Sequence, residues 1–297
     1  MHTKTARSKG VSGLVPTGPK PELKQMKYSV LMSVYRKEKP EHLKLSLSSM
    51  LGQTLPPAQF VLVKDGRLPP ELEAVIDEAV SSHPGLFCIV ELEKNEGVGA
   101  AAAKGLAACT CEYVAKMDAD DIAKSHRCER QMEQFLTDGS LDIVGSQITE
   151  FMGDVKNPVA DRIVPVNHDE IVRFARRRAP FNNQTVIYRK QAALKAGGYM
   201  NLRRCEDYDL YIRMLHNGAK AMNVDESLVY YRLTDDTYSR RGNLSNTAAF
   251  IRTRYHAMRI GFASPLDFLV ACAAQLVMAA LPKPLKKMFY IKLLRNR

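Results

Sequence analysis

Four short apolar runs, Tyr28–Tyr35, Phe60–Val63, Leu86–Val90 and Tyr113–Met117, alternate with helix-patterned stretches across the first 120 residues. Runs of this kind read as strands buried on both faces, and strand–helix alternation with short loops predicts a mostly parallel, doubly wound α/β sheet. The first helix opens at Pro40-Glu41, puts Leu43, Leu47, Met50 and Leu51 on one face, and closes at Gly52. A second runs from about Pro70 to Ser81. A third, rich in alanine, leaves Asn95-Glu96-Gly97-Val98-Gly99 and reaches about Cys109.

Further along, a helix is expected from Arg127 to about Leu136, a strand over Asp142–Glu150 and a loop from Met152 to Pro165. A basic helix follows over 168–178, ending Arg176-Arg177-Arg178. Thr185–Tyr188 reads as a short strand and Gln191–Ala196 as a helix stopped by Gly197-Gly198. Cys205–His216 reads as a helix with a carboxylate-rich start, and Ser227–Arg232 as a last strand.

The fourth apolar run ends in Asp118-Ala119-Asp120-Asp121. Ligands of open α/β sheets sit beyond the carboxyl ends of the strands. Three crowded carboxylates repel, and each has its pKa raised unless a cation sits among them. The natural occupant is Mg²⁺ or Mn²⁺, a hard ion that takes oxygen ligands and brings phosphate oxygens with it.

The net charge of +11 is concentrated at the ends. Residues 1–27 hold six cations against Glu22, and residues 282–297 hold six against no acid, leaving a body without net charge. A nucleic-acid reader carries its basic patch on the folded face, so nucleic acid is not expected as a partner. Basic ends suit an anionic membrane surface. Residues 1–27 are Gly/Pro-interrupted, lack a secretory apolar core and are expected to be disordered. Six cysteines at positions 88, 109, 111, 128, 205 and 272, without C-x-x-C spacing, read as buried thiols of a reducing compartment. Phe268–Leu281 is almost wholly apolar, yet fourteen residues fall short of the roughly 20 that span a bilayer. Pro282, Pro284 and a mixed Leu/Phe/Tyr/Lys/Arg segment follow, as in a helix lying in a membrane interface.

Two other functions compete. Gly97-x-Gly99-x-x-Ala102 matches the dinucleotide fingerprint, with Asp118 about 20 residues on, which would make an NAD(P)-dependent oxidoreductase. Against it, the motif follows the third strand instead of the first, and the acidic residue is one of three. A non-catalytic scaffold of an assembly complex is the second alternative. No P-loop occurs.

Five segments in order, Val30–Tyr35, Val63–Gly66, Asn95–Gly97, Lys116–Asp121 and Glu206–Leu210, resemble glycosyltransferase family 2 with its GT-A fold. The resemblance covers roughly residues 28–235 and is similar to bacterial enzymes of exopolysaccharide, capsule and O-antigen repeat units. It implies a Rossmann-like, mostly parallel sheet followed by a helical, membrane-associated tail. It also implies that Tyr35, Glu38 and Asp65 hold the base and ribose of a nucleotide-diphospho-sugar, with a UDP-sugar the leading donor. Asn95 and Gly97 would shape the loop under the ribose. Asp118 and Asp120 would bind Mn²⁺ or Mg²⁺ on the diphosphate, and Asp207 would be the base. A base with no opposing nucleophile means direct displacement and inversion.

The implied acceptor is a lipid-linked saccharide on polyprenyl diphosphate, and the implied location is peripheral at the inner face of the cytoplasmic membrane. The sequence departs from the family at Lys64-Asp65-Gly66, where relatives often pair two aspartates. It departs again at Ala101-Ala102-Ala103, and it lacks Trp, so a single-addition enzyme is implied. Asn182-Asn183-Gln184 is a candidate acceptor contact, and Arg176–Arg178 a candidate for an acceptor diphosphate or lipid headgroups. The expected division is a basic segment 1–27, a nucleotide-sugar half 28–150, an acceptor half 151–245 and a helical basic tail 246–297.

Overall fold

The computed structural model describes residues 22–234 and 244–280. Its elements in chain order are β1 (Tyr28–Val34), α1 (Pro40–Leu51), β2 (Gln59–Lys64), α2 (Pro70–Ser82), β3 (Phe87–Glu91), α3 (Val98–Ala108) and β4 (Tyr113–Lys116). There follow β5 (Ile122–Ala123), α4 (Arg127–Thr137), β6 (Leu141–Phe151), β7 (Pro158–Arg162), α5 (His168–Ala175), β8 (Ile187–Arg189) and α6 (Lys190–Lys195). The last four are α7 (Glu206–His216), β9 (Lys220–Arg232), α8 (Leu244–Arg259) and α9 (Pro265–Ala280).

The strands form one sheet in the order β3-β2-β1-β4-β8-β6-β9-β5, with β7 paired to β6. The first four strands are parallel, as their unbroken apolar runs demand. Beyond β4 the sheet is mixed: β8 runs antiparallel to both neighbours and β9 parallel to β6. Two buried clusters flank it. Leu31, Val63, Val114 and Leu106 lie on the α3/α7 side, and Val30, Leu62, Ala115 and Met132 on the α1/α4 side. Gly105 lets α3 lie on β1 and β2, since a methyl there would press on Leu31 and stand 2.8 Å from Val63 Cγ2.

Several boundaries differ from the sequence reading. Leu23, within the segment expected to be disordered, sits fully buried in a short 3₁₀ turn, Leu23–Gln25. The loop expected over 152–165 contains β7, which borrows its partner groups from β6. β9 begins seven residues before the expected Ser227, because β6 pairs along its polar first half. The basic helix stops at Ala175, so the three arginines follow it. Gly197 and Gly198 end α6 with positive φ, as predicted. All six cysteines are free thiols, but only Cys109 and Cys128 are fully buried. Among the described residues no helix is long and apolar enough to cross a membrane. The tail reading beyond Ala280 lies outside the described residues.

Candidate active site

The carboxyl ends of β1, β2 and β4 meet the N-terminus of α7 in one cleft. Parallel strands bring their ends to the same side, and α7 faces the sheet through Leu210, Ile212 and Met214.

At the end of β2, Asp65 is nearly buried and is grasped by the loop before α3. Its Oδ1 accepts from the Glu96 N–H at 2.7 Å, and its Oδ2 from Asn95 Nδ2 at 2.9 Å and the Gly97 N–H at 3.1 Å. A carboxylate has about four acceptor positions, so these three bonds leave one for a ligand. The turn approaches closely because Gly66 adopts φ +87°; a methyl there would stand 2.7 Å from the Asn95 nitrogen. The predicted group Asp65, Asn95 and Gly97 is therefore brought together. Lys64 turns away and pairs with Glu73 at 2.6 Å and Glu91 at 3.0 Å. At the end of β1, Tyr35 is partly exposed. The Glu38 side chain, largely buried, accepts from the Lys39 N–H and stands 3.9 Å from His42.

Asp118 follows β4 and is half-buried. Desolvation raises its carboxyl to about 6, with Lys116 opposing and Asp207 and Glu38 adding to the rise. Those contributions put Asp118 in the same electrostatic neighbourhood as both Glu38 and Asp207. Asp120 presents its backbone carbonyl to Arg232 Nε at 2.8 Å. Asp121 is fully buried. Its Oδ1 accepts from the Arg232 N–H at 2.8 Å, and its Oδ2 has no hydrogen-bond partner. Burial, then Asp120 and Asp118, push the Asp121 carboxyl well up, and with no surface exposed it is an internal group and not an open ligand.

The acidic start of α7 separates into three roles. Asp209 is buried and pairs with Arg213 at 2.8 Å and His256 at 2.7 Å, tying α7 to α6 and α8. Glu206 is buried, and desolvation together with Asp207 raises it well above the usual range. Asp207 keeps an Oδ1 that is buried and unpartnered. It lies near the tyrosines Tyr188, Tyr199 and Tyr211, whose hydroxyls are pushed well up chiefly by burial, with the Asp207 charge adding to the rise. The preceding Cys205 takes φ +62°, a left-handed conformation rare for a residue with a side chain, and thereby aims the first turn of α7.

Three cations escaped the sequence reading. Arg127 is fully buried beneath the acidic turn, donating to the Lys116 carbonyl at 2.7 Å and to Gln131 Oε1 at 3.1 Å. Lys116 is almost fully buried, with Nζ 5.5 Å from the centre of the Tyr199 ring. Arg232 closes the acidic turn and leaves one guanidinium nitrogen buried without a hydrogen bond. The sequence carried one signal for Lys116, a charge inside an apolar strand. Asn182 is buried and spends its amide on the Ser146 carbonyl at 2.9 Å, while Asn183 accepts from the Tyr211 hydroxyl.

Among the described residues no three His, Cys, Asp or Glu side chains form a metal cage. Mg²⁺ is ordinarily held by one or two carboxylates plus phosphate oxygens and waters. The raised Asp118 and the unpartnered Asp207 oxygen show unspent negative charge in the cleft, so the residues present fit a hard cation that arrives with its nucleotide.

The oxidoreductase alternative conflicts with Gly99. Its N–H donates to the Leu202 carbonyl at 3.2 Å, and a methyl on it would press into the Met200 carbonyl and stand 2.7 Å from the Leu202 nitrogen. The glycine serves a contact between two chain segments, and that face is closed to a pyrophosphate.

Residues 29–203 match the family described as Glycosyl transferase family 2. An uncharacterized glycosyltransferase of Haemophilus influenzae is 37% identical over 271 residues, 91% of this chain and 100% of its own length. The UDP-Gal:alpha-D-GlcNAc-diphosphoundecaprenol beta-1,3-galactosyltransferase of Escherichia coli is 31% identical over 91% of this chain and 97% of its own. Among solved structures, the mannosyltransferase PcManGT of Pyrobaculum calidifontis, in complex with GDP-Man and Mn²⁺, superposes with a TM-score of 0.59 at 17% identity, covering 95% of this chain and 85% of its own. That likeness shows the GT-A fold. Neither the oxidoreductase nor the scaffold alternative finds support among these proteins. The chain is a glycosyltransferase and belongs to glycosyltransferase family 2.

Proposed function

We infer that the protein transfers one sugar from a nucleotide-diphospho-sugar, a UDP-sugar first among them, to a saccharide carried on polyprenyl diphosphate, with inversion at the anomeric carbon. The observation that carries this reading is the unpartnered, buried Oδ1 of Asp207, set across from Asp118.

Tyr35, Glu38 and Asp65 hold the base and ribose, with Asn95 and Gly97 fixing Asp65. Asp118 and Asp120 hold Mn²⁺ or Mg²⁺, which when bound neutralises the diphosphate as it leaves. Asp207 Oδ1 takes the proton of the acceptor hydroxyl, whose oxygen forms the new bond to the anomeric carbon on the face opposite the departing diphosphate. From an α-linked donor the product is β-linked. Burial and Asp207 push Glu206 well above the usual carboxylate range, and Asp207 is the member of the pair assigned to take the proton, at a helix N-terminus that favours negative charge. Residues 28–150 carry the donor and 151–245 the acceptor.

The lipid-linked acceptor is supported by the Escherichia coli relative, whose name specifies a diphosphoundecaprenol substrate. On this reading the enzyme works in bacterial surface polysaccharide assembly, peripheral at the inner face of the cytoplasmic membrane, beside anionic lipid.

The test is incubation of the full chain with a panel of nucleotide-sugars, Mn²⁺ and a GlcNAc-diphospho-lipid analogue. Product anomeric configuration is read by NMR. A β-linked, metal-dependent product is expected from one donor. Retention of configuration, or turnover undiminished by chelation, would reject the scheme.

A further inference from the structure

A second concavity, of about 610 Å³, opens where the end of α5 meets the first turn of α9. Arg173, Arg176, Arg177 and Arg178 line it, with Glu170 and Asp267 as the only carboxylates. Asp267 is already engaged, accepting from Arg177 Nε at 2.6 Å and the Ser264 hydroxyl at 2.7 Å. Arg178 lies over the Phe174 ring, 5.0 Å from its centre. Arg173 and Arg176, one turn apart and exposed, have no ion-pair or hydrogen-bond partner among the described residues. Clustered guanidiniums repel one another and match the geometry of a phosphate group.

The adjoining face of α9 is apolar and turned outward. Leu266, Leu269 and Val277 are 64%, 61% and 61% exposed, with Val270 and Leu276 on the same stripe, while Asp267 and Ala271 are buried on the opposite side. Sixteen residues give a face about 24 Å long, which suits a helix lying along a bilayer and is too short to cross one. Half-exposed Tyr255 packs edge-on against Phe268 at 6.0 Å, an amphipathic ring of the kind found at headgroup level. An apolar stripe beside unpaired arginines complements a lipid that bears phosphate.

This corner is joined to the base. Tyr208, next to Asp207, donates its hydroxyl to the carbonyl of Ala175, the last residue of α5, at 2.7 Å. Arg254 donates to the Arg177 carbonyl at 2.9 and 3.1 Å and stands 6.0 Å from the Tyr208 ring. One tyrosine therefore separates the arginine cavity from the catalytic turn.

We propose that this cavity binds the diphosphate of the polyprenyl-linked acceptor through Arg173 and Arg176, with the bilayer against the outward face of α9. The proposal rests on the transferase reading above. It fixes the direction of the acceptor: lipid at α9, saccharide toward Asp207.

The test is flotation of the full chain with vesicles of phosphatidylcholine alone, with phosphatidylglycerol, or with polyprenyl diphosphate at matched charge. The wild type is expected to prefer polyprenyl diphosphate. Arg173→Gln with Arg176→Gln is expected to lose that preference, weakening binding by at least about tenfold, and to raise the KM for a polyprenyl acceptor more than it lowers kcat. Leu269→Asn with Val277→Asn is expected to weaken binding to every vesicle. Equal binding of the wild type to phosphatidylglycerol and polyprenyl diphosphate would overturn the acceptor site, as would a double arginine variant that binds like the wild type. Stabilisation by UDP and Mn²⁺ is measured in parallel: its absence in the wild type strikes the transferase reading, and its presence with failed vesicle results strikes only this proposal.

Discussion

Asp207 at the start of α7 stands near enough to Asp118 at the end of β4 that its charge adds to the rise of the Asp118 carboxyl. Asp118 is raised to about 6, and Asp207 keeps one buried oxygen without a partner. On the proposed reading, a cation bound to Asp118 would relieve the repulsion on that side and leave Asp207 to accept the proton, so that the pair would link donor binding to the chemistry of the acceptor.

Asp207→Asn conserves shape and removes the proton acceptor. Transfer is expected to fall by about 10²–10⁴-fold, the usual contribution of general base catalysis. Binding of UDP with Mn²⁺, measured by calorimetry, should be unchanged. Turnover close to wild type would remove Asp207 from the base role.

Binding of Mn²⁺ with UDP should depend on pH through Asp118. Below about 6 the metal-free carboxyl is protonated, and a metal must displace that proton. Affinity is expected to level off above neutrality and to fall by up to about tenfold per pH unit on the acid side. Titration calorimetry across that range, in buffers of differing ionisation enthalpy, should also show proton release. A flat profile would contradict the raised carboxyl.

Asp118→Asn should separate stability from function. The raised pKa means the native state holds the proton more tightly than the unfolded chain. The ionised carboxylate therefore costs stability that appears as pH rises from the ordinary value of 3.8 to about 6 and stays at higher pH. Removing the charge is expected to stabilise the metal-free protein at neutral pH by about 1–3 kcal/mol, seen in urea unfolding, while abolishing stabilisation by Mn²⁺ and UDP. A destabilised variant would show that Asp118 is already compensated by its cationic neighbours.

Gly99→Ala should behave as a packing lesion. The added methyl meets backbone atoms of Met200 and Leu202, which have no rotamer to yield. A loss of about 1–3 kcal/mol is expected in denaturant unfolding, with no acquired change in NAD binding. A neutral effect would mean that the 200–202 segment shifts freely.

The sequence and the structure divide the site between them. The parallel half was legible because strands buried on both faces need unbroken apolar runs, and Val30–Val34, Phe60–Val63 and Val114–Ala115 supply them. Asp118 and Asp120 stood out because three carboxylates crowd the end of one strand, whereas Asp207 was singled out by the family resemblance. α8 falls in the tail expected to be helical, but its packing was not legible, because its buried positions include Thr253 and Arg254, which carry no apolar signature and are covered only after α7 and the end of α5 come against them. Arg127 was missed for the same reason: an arginine is ordinarily an exposed residue, and only the fold brings the Lys116 carbonyl and Gln131 to it.

By itself, then, the sequence determined which residues could carry charge and which strands had to be interior, since both follow from local composition and period. Tertiary structure alone decided which of the acidic residues at the start of α7 is free. Asp209 is consumed by Arg213 and His256, Glu206 is pushed well above the usual carboxylate range by burial, and Asp207 keeps a buried oxygen without a partner. Neighbours 4 to 47 residues away make that choice, and only three-dimensional proximity fixes how a carboxylate's charge is spent.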